Sequence, residues 1–371
     1  MIDFRRYTLP NGLRVIHSYD PDTVMVTVDV LYNTGARDES RALTGIAHLF
    51  EHLMFGGSAN IPRFDKELEQ AGGVSNAWTS NDFTNFFETL PAANVETAFH
   101  LESDRMLSLA FSPEALEVQR SVVIEDFKQQ CLNRPYGDLM HGLREALYSP
   151  SHPYSWPVIG LDPSHIAAVT NDDVRRWFFA HYAPDNAVLA IVGNLPYDRG
   201  RRLVEKWFGD IPARHVAPRR LPDPGFPTAD IVRDMRGHVP CANVVIAIPM
   251  APYGTHDYRV ADCITDILAA GRSSRLLRNL VLGGDGSIIE ADASVGGCEE
   301  PGFMLMSART ASDADPVVAR AAARLRAQLA LLAEPGNVSP YELERTLNRF
   351  ESTFLMQNVA PVARTQNLAL A

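Results

Sequence analysis

His48-Leu49-Phe50-Glu51-His52 places two imidazoles four residues apart with a carboxylate between them. Positions i, i+3 and i+4 of an α-helix share one face. At about 100° per residue, His48, Glu51 and His52 fall within an arc of roughly 100°, and Ile46, Leu49, Phe50 and Leu53 occupy the opposite side. The spacing therefore predicts a short helix that buries one stripe and presents His-Glu-His from the other. Thr44 is its predicted N-cap and Gly56-Gly57 its stop. Two neutral imidazoles at this spacing clamp a metal ion and leave a carboxylate beside the open coordination position.

Asn33-Thr34-Gly35-Ala36-Arg37-Asp38-Glu39 and Gly45-Ile46-Ala47 precede the motif, and Leu53-Met54-Phe55-Gly56-Gly57-Ser58 follows it. Near the N-terminus stands Tyr7-Thr8-Leu9-Pro10-Asn11-Gly12-Leu13-Arg14-Val15. Together these strings resemble the pitrilysin/insulinase family of zinc metallopeptidases, inverted zincins that include the mitochondrial processing peptidases. H-x-x-E-H is the signature of that class. The resemblance runs over nearly the whole chain. It implies one Zn2+ per chain and endopeptidase chemistry on short or unfolded polypeptides. His48 and His52 are the implied metal ligands, and Glu51 the implied general base that takes a proton from the attacking water.

At 371 residues the chain is long enough for two or three domains. Its composition, 46% hydrophobic and 21% charged, is that of an ordinary globular protein. A net charge of -11 argues against a nucleic-acid partner. Cys131, Cys241, Cys263 and Cys298 are scattered without a C-x-x-C pair and read as free thiols. No apolar run is long enough to span a membrane, and Met1-Ile2-Asp3-Phe4-Arg5-Arg6 does not open a signal peptide. The expected location is the cytoplasm, or the periplasm if a leader has been removed.

The chain also reads as a duplication. Met25-Val26-Thr27-Val28-Asp29-Val30-Leu31-Tyr32 alternates like a strand, turns at Gly35 and leads into the motif helix. Asn243-Val244-Val245-Ile246-Ala247-Ile248 turns at Gly254 and leads into a helix from about Tyr258. Superposing the small-residue turns that end the two helices gives an offset of 215, which lays His48, Glu51 and His52 on Cys263, Asp266 and Ile267. The second half has the scaffold without the metal set. A proline-rich, basic stretch separates the halves. The expected domains are 1–215 with the zinc, a linker at 216–227, and 228–371 without metal. Further strands are expected at 74–79, 85–90 and 187–193, and a long helix from Pro113 with Ser112 as cap. Strands and helices mix without βαβ alternation, so the fold class is α+β with mostly antiparallel sheets. Helix 341–354 matches 115–127, and no counterpart of the strand 187–193 follows it, so the second domain is expected to be incomplete at its C-terminal end.

A catalytic zinc site takes three protein ligands. Spacing alone does not choose the third among the available carboxylates. The resemblance points to the string Val122-Val123-Ile124-Glu125-Asp126-Phe127 and, within it, to Glu125, 73 residues after His52. The family's accessory glutamate two turns earlier is replaced by Val118, with Glu117 beside it. Gly72-Gly73-Val74-Ser75-Asn76-Ala77-Trp78-Thr79 resembles the family's edge strand, which implies that Asn76 and Ala77 hold an added substrate strand. The family's substrate-gripping arginine and tyrosine are missing from the second half. Val281 and Ile288 stand in their places, and Arg278 is three residues early. The resemblance thus implies the catalytic subunit of a clamshell dimer whose zinc-less paralogue supplies the Arg/Tyr pair. A homodimer using Arg278 and a non-catalytic scaffold subunit are the alternatives.

Overall fold

The computed structural model describes residues 2–371. Strands β1 (Arg5–Thr8), β2 (Arg14–Tyr19) and β3 (Met25–Tyr32) precede helices α1 (Ile46–Leu53) and α2 (Phe64–Gln70). The hairpin of β4 (Val74–Thr79) and β5 (Thr84–Pro91) follows, then α3 (Glu96–Leu107), α4 (Pro113–Phe127) and α5 (Leu139–Leu147). Next come α6 (Pro163–Ala168), α7 (Asn171–His181), β6 (Ala187–Gly193) and α8 (Tyr197–Phe208). Residues 212–242 carry no helix or strand, so the predicted linker lies within a longer irregular stretch. The rest comprises β7 (Asn243–Met250), α9 (His256–Ala269), β8 (Ile288–Gly296), β9 (Gly302–Thr310), α10 (Asp315–Ala333), α11 (Pro340–Gln357) and α12 (Pro361–Ala369).

These elements form two compact units, and neither unit is contiguous in sequence. One holds residues 1–132, 150–223 and 356–371, and the other 133–149 and 224–355. The expected boundaries, 1–215 and 228–371, therefore miss two segments. Helix α5 packs with β7 in the second unit, and α12 packs on β3 and β6 in the first. Burial is the reason in the latter case: Leu368 and Ala369 of α12 are buried there.

The first unit is built on a six-stranded sheet of order β1-β2-β6-β3-β5-β4. Its pairings are antiparallel except β2 with β6, which run parallel. The central strands are buried on both faces. Val26, Val28 and Val30 of β3 join the main core with Leu189 and Ile191 of β6, whereas Leu31, Val188 and Ala190 meet Ala369 on the other side. This period of two is the pleat of a strand buried on both faces. At one border of the sheet, β4 has a free edge.

The second unit holds a three-stranded antiparallel sheet of order β7-β9-β8. Its core gathers Leu268 of α9, Leu276 and Leu280, Ile288 of β8, Met306 of β9 and Leu325 of α10. No helix among the described residues is long and apolar enough to cross a membrane.

Candidate metal centre

Helix α1 starts one residue later than predicted, with Gly45 rather than Thr44 as N-cap. Gly45 has φ 85°, in the left-handed region, and a Cβ there would come within 2.5 Å of Ile166 Cδ1. The Thr44 hydroxyl is already engaged, 2.8 Å from His165 Nδ1 and accepting the Leu161 N–H at 2.8 Å. A carboxylate eight residues upstream takes the capping role instead. Ala47 N–H donates to Glu39 Oε1 at 2.9 Å, and the Trp156 indole N–H donates to Glu39 Oε2 at 3.0 Å. Glu39 thus satisfies a backbone donor that the first turn of the helix leaves unpaired. Burial pushes the Glu39 carboxyl up to about 8 against the pull of those hydrogen bonds.

The stretch from Asn33 to Glu39 also ties α1 to the β4–β5 hairpin. Arg37 Nη1 donates to Asp82 Oδ1 at 2.9 Å in a buried ion pair, and the Tyr154 hydroxyl donates to the same carboxylate. Ala36 N–H and Arg37 N–H bond the carbonyls of Ser80 and Asn81. Gly35 is required by this contact, because a Cβ would lie 2.6 Å from both carbonyl oxygens. Arg219 closes the frame with two bonds to Asp38, at 2.5 and 2.8 Å.

The helix buries Ile46, Ala47, Leu49, Phe50 and Leu53, as its apolar stripe predicts. His48 and His52 emerge together, with ring centroids 4.9 Å apart and planes at 87°. The residue that joins them from α4 is Asp126. One ligand atom from each of His48, His52 and Asp126 lies within 4.8 Å of the others. The predicted third ligand, Glu125, is not brought to the histidines. Its side chain is 70% exposed and pairs with Lys128 at 2.6 Å. Helix phase explains the difference. Leu116, Val123 and Phe127 mark the buried stripe of α4. At about 100° per residue, Asp126 lies roughly 60° from Val123 and Glu125 roughly 160° from it. Glu117 is likewise exposed and bonded to Arg120.

The donor set suits a zinc ion. Two imidazoles and one carboxylate are zinc's usual partners, with a fourth position left open. His52 Nε2 and Asp126 Oδ2 stand 3.8 Å apart, too far for a hydrogen bond and wide enough to share an ion bound at about 2.1 Å. His48 Nδ1 is buried without a hydrogen-bond partner. Burial is the main force holding the His48 pKa down to about 4, with His52 adding to it, so the ring is neutral and free to ligate at neutral pH.

Glu51 projects from the same face. Burial raises its pKa, opposed by a hydrogen bond from Thr79 and by His52. Thr79, which sequence reasoning did not single out, ends the edge strand β4 and donates from Oγ1 to Glu51 Oε2. Along that strand Asn76 pairs in register with Phe87 and Ala77 with Phe86. Asn76 is exposed, and its Oδ1 accepts the Ala77 N–H at 2.8 Å. In the second unit, the two positions expected for the grip are occupied by packing side chains. Ile288 is 1% exposed in the core and Val281 packs against it, while Arg278 is exposed beside Asn279.

Comparison with known proteins gives the family. The family model "Insulinase (Peptidase family M16)" matches residues 14–146, and "Peptidase M16 inactive domain" matches 168–350. The chain belongs to this pitrilysin/insulinase family of peptidases. It is 31% identical over 282 residues to the zinc protease PqqE of Helicobacter pylori, covering 74% of this chain and 63% of that protein. It is 26% identical over 263 residues to the mitochondrial-processing peptidase subunit beta of Saccharomyces cerevisiae, covering 69% of this chain and 56% of the subunit. The chain thus spans about three fifths of the length of these relatives. The crystal structure of a protease from H. pylori superposes with a TM-score of 0.85 at 26% identity, over 100% of this chain and 89% of that one.

Proposed function

We propose that this chain is a zinc-dependent endopeptidase subunit that cleaves short or unfolded polypeptides. The observation that carries the reading is the convergence of His48, His52 and Asp126 within 4.8 Å, beside Glu51. These three residues would hold one Zn2+. Bound there, zinc supplies a Lewis acid that polarises a carbonyl and acidifies water. Glu51 takes the proton from the attacking water and delivers it to the leaving amine nitrogen. Burial raises its proton affinity, which favours acceptance of that proton.

An extended peptide pairs with the free edge of β4, where Asn76 and Ala77 offer main-chain partners. Recognition of this kind needs an unfolded strand and little particular sequence. The grip that Val281 and Ile288 lack comes from a zinc-less paralogue in a dimer, which encloses the substrate.

Two measurements test this together. Zinc content and hydrolysis of an unstructured peptide are determined for the wild type and Glu51→Gln, alone and with the paralogue added. The expected result is one zinc per chain in both, strong activity only with the paralogue, and a loss of at least about a hundredfold in Glu51→Gln. Equal activity of the two proteins would remove Glu51 from its role.

A further inference from the structure

We infer that Thr79 is the positioning residue of the general base. This rests on the proposed role of Glu51. Its hydroxyl donates to Glu51 Oε2, and among the described residues no other side chain bonds the Glu51 carboxylate. One oxygen is thereby held and the other left open. A carboxylate with both oxygens free rotates about its last torsion, which is broad and roughly two-fold. With Oε2 fixed by a donor, Oε1 is the oxygen that stays available to a water.

The position of Thr79 is itself determined from several sides. It pairs in register with Thr84 at the closed end of the hairpin. The turn beyond it is locked, with Ser80 N–H bonded to Phe83 O at 2.8 Å and the Ser80 hydroxyl accepting from the amides of Asp82 and Phe83. Ala36 N–H reaches Ser80 O at 3.1 Å, and Arg37 holds Asp82. The same stretch of chain ends in Glu39, which caps the helix that carries Glu51. Base and donor are thus anchored to one frame, through the helix start on one side and the hairpin turn on the other. Thr79 also terminates the strand whose free edge receives the peptide in the proposed function. A peptide seated on β4 is therefore referenced to the base through one side chain.

The test uses Thr79→Val, which keeps the shape and removes the donor, and Thr79→Ser, which keeps the donor. In the complex that hydrolyses the unstructured peptide, Thr79→Val should lower kcat by about ten- to a hundredfold with KM and zinc content unchanged. Thr79→Ser should restore most of kcat. A Thr79→Val enzyme within twofold of wild type, or a Thr79→Ser enzyme as slow as Thr79→Val, would overturn the inference. A readout independent of turnover accompanies it: crystal structures of both variants. Glu51 should occupy one position in Thr79→Ser and shift or split in Thr79→Val. An unmoved Glu51 in Thr79→Val contradicts positioning whatever the kinetics. Inactivity of the wild type would count against the proposed function while leaving this structural arm decisive.

Discussion

The helix pair α1/α4 of the first unit and the pair α9/α11 of the second, which the sequence pattern reads as a repeat, carry different side chains. In the first pair, His48, His52 and Asp126 turn three ligand atoms towards a common point. In the second, the matching positions on α9 hold Cys263, Asp266 and Ile267. Ile267 is 4% exposed and serves packing. Burial raises the Cys263 pKa, helped by Asp262 and Asp266, which keeps the thiol protonated and a poor metal ligand. Asp266 pairs instead with Arg349 of α11 at 3.3 Å. A guanidinium carried by the chain thus supplies the positive charge that the first pair would take from a bound ion. A scaffold that can hold a metal does so only when its inward positions carry ligands in place of apolar groups.

The comparison can be broken most sharply at Asp126. Asp126→Asn should lower zinc content from one per chain towards none and abolish peptide hydrolysis, whereas Glu125→Gln should keep both. Metal analysis of the dialysed variants distinguishes the two carboxylates, and the reverse pattern would restore Glu125 as ligand. A smaller effect is expected in the other pair. Ile267→His puts back the second histidine of the motif, yet it should destabilise the protein by about 2 kcal/mol or more, because the imidazole is buried without a partner. Urea unfolding with and without zinc checks this. Rescue of stability by zinc would show that the second pair retains a latent site. The smallest effect belongs to Arg349→Ala. Its pair with Asp266 is half exposed on the arginine side, so its loss should cost less than about 1 kcal/mol and leave zinc content untouched.

Much of this architecture was legible in the sequence where the cause is local. The limits of β3, β4 and β6 follow from alternation or an apolar run, and α4 begins where Ser112 accepts the Ala115 N–H ahead of Pro113. What escaped the sequence has distant causes. Glu39 caps α1 from eight residues away, whereas the sequence next to the helix offers Thr44. The parallel pairing of β2 with β6 joins strands far apart in the chain. Helices α5 and α12 lie with the unit opposite to their own half of the repeat, and no local pattern records that. The carboxylate that stands beside the two histidines is different, because its signal was present. The resemblance pointed to Glu125, but the buried stripe Leu116, Val123 and Phe127 puts Asp126 towards the core-facing side of α4. Thr79 carried no signal of its own, since a threonine ending a strand is ordinary until the fold sets it against Glu51.

The most direct test of the central claim is the location of zinc itself. Crystals grown with zinc and measured at the zinc absorption edge should show a single anomalous peak in this chain, contacted by His48, His52 and Asp126. A peak that Glu125 contacts in place of Asp126, a peak at Cys263 and Asp266, or no peak at the two histidines would contradict the account.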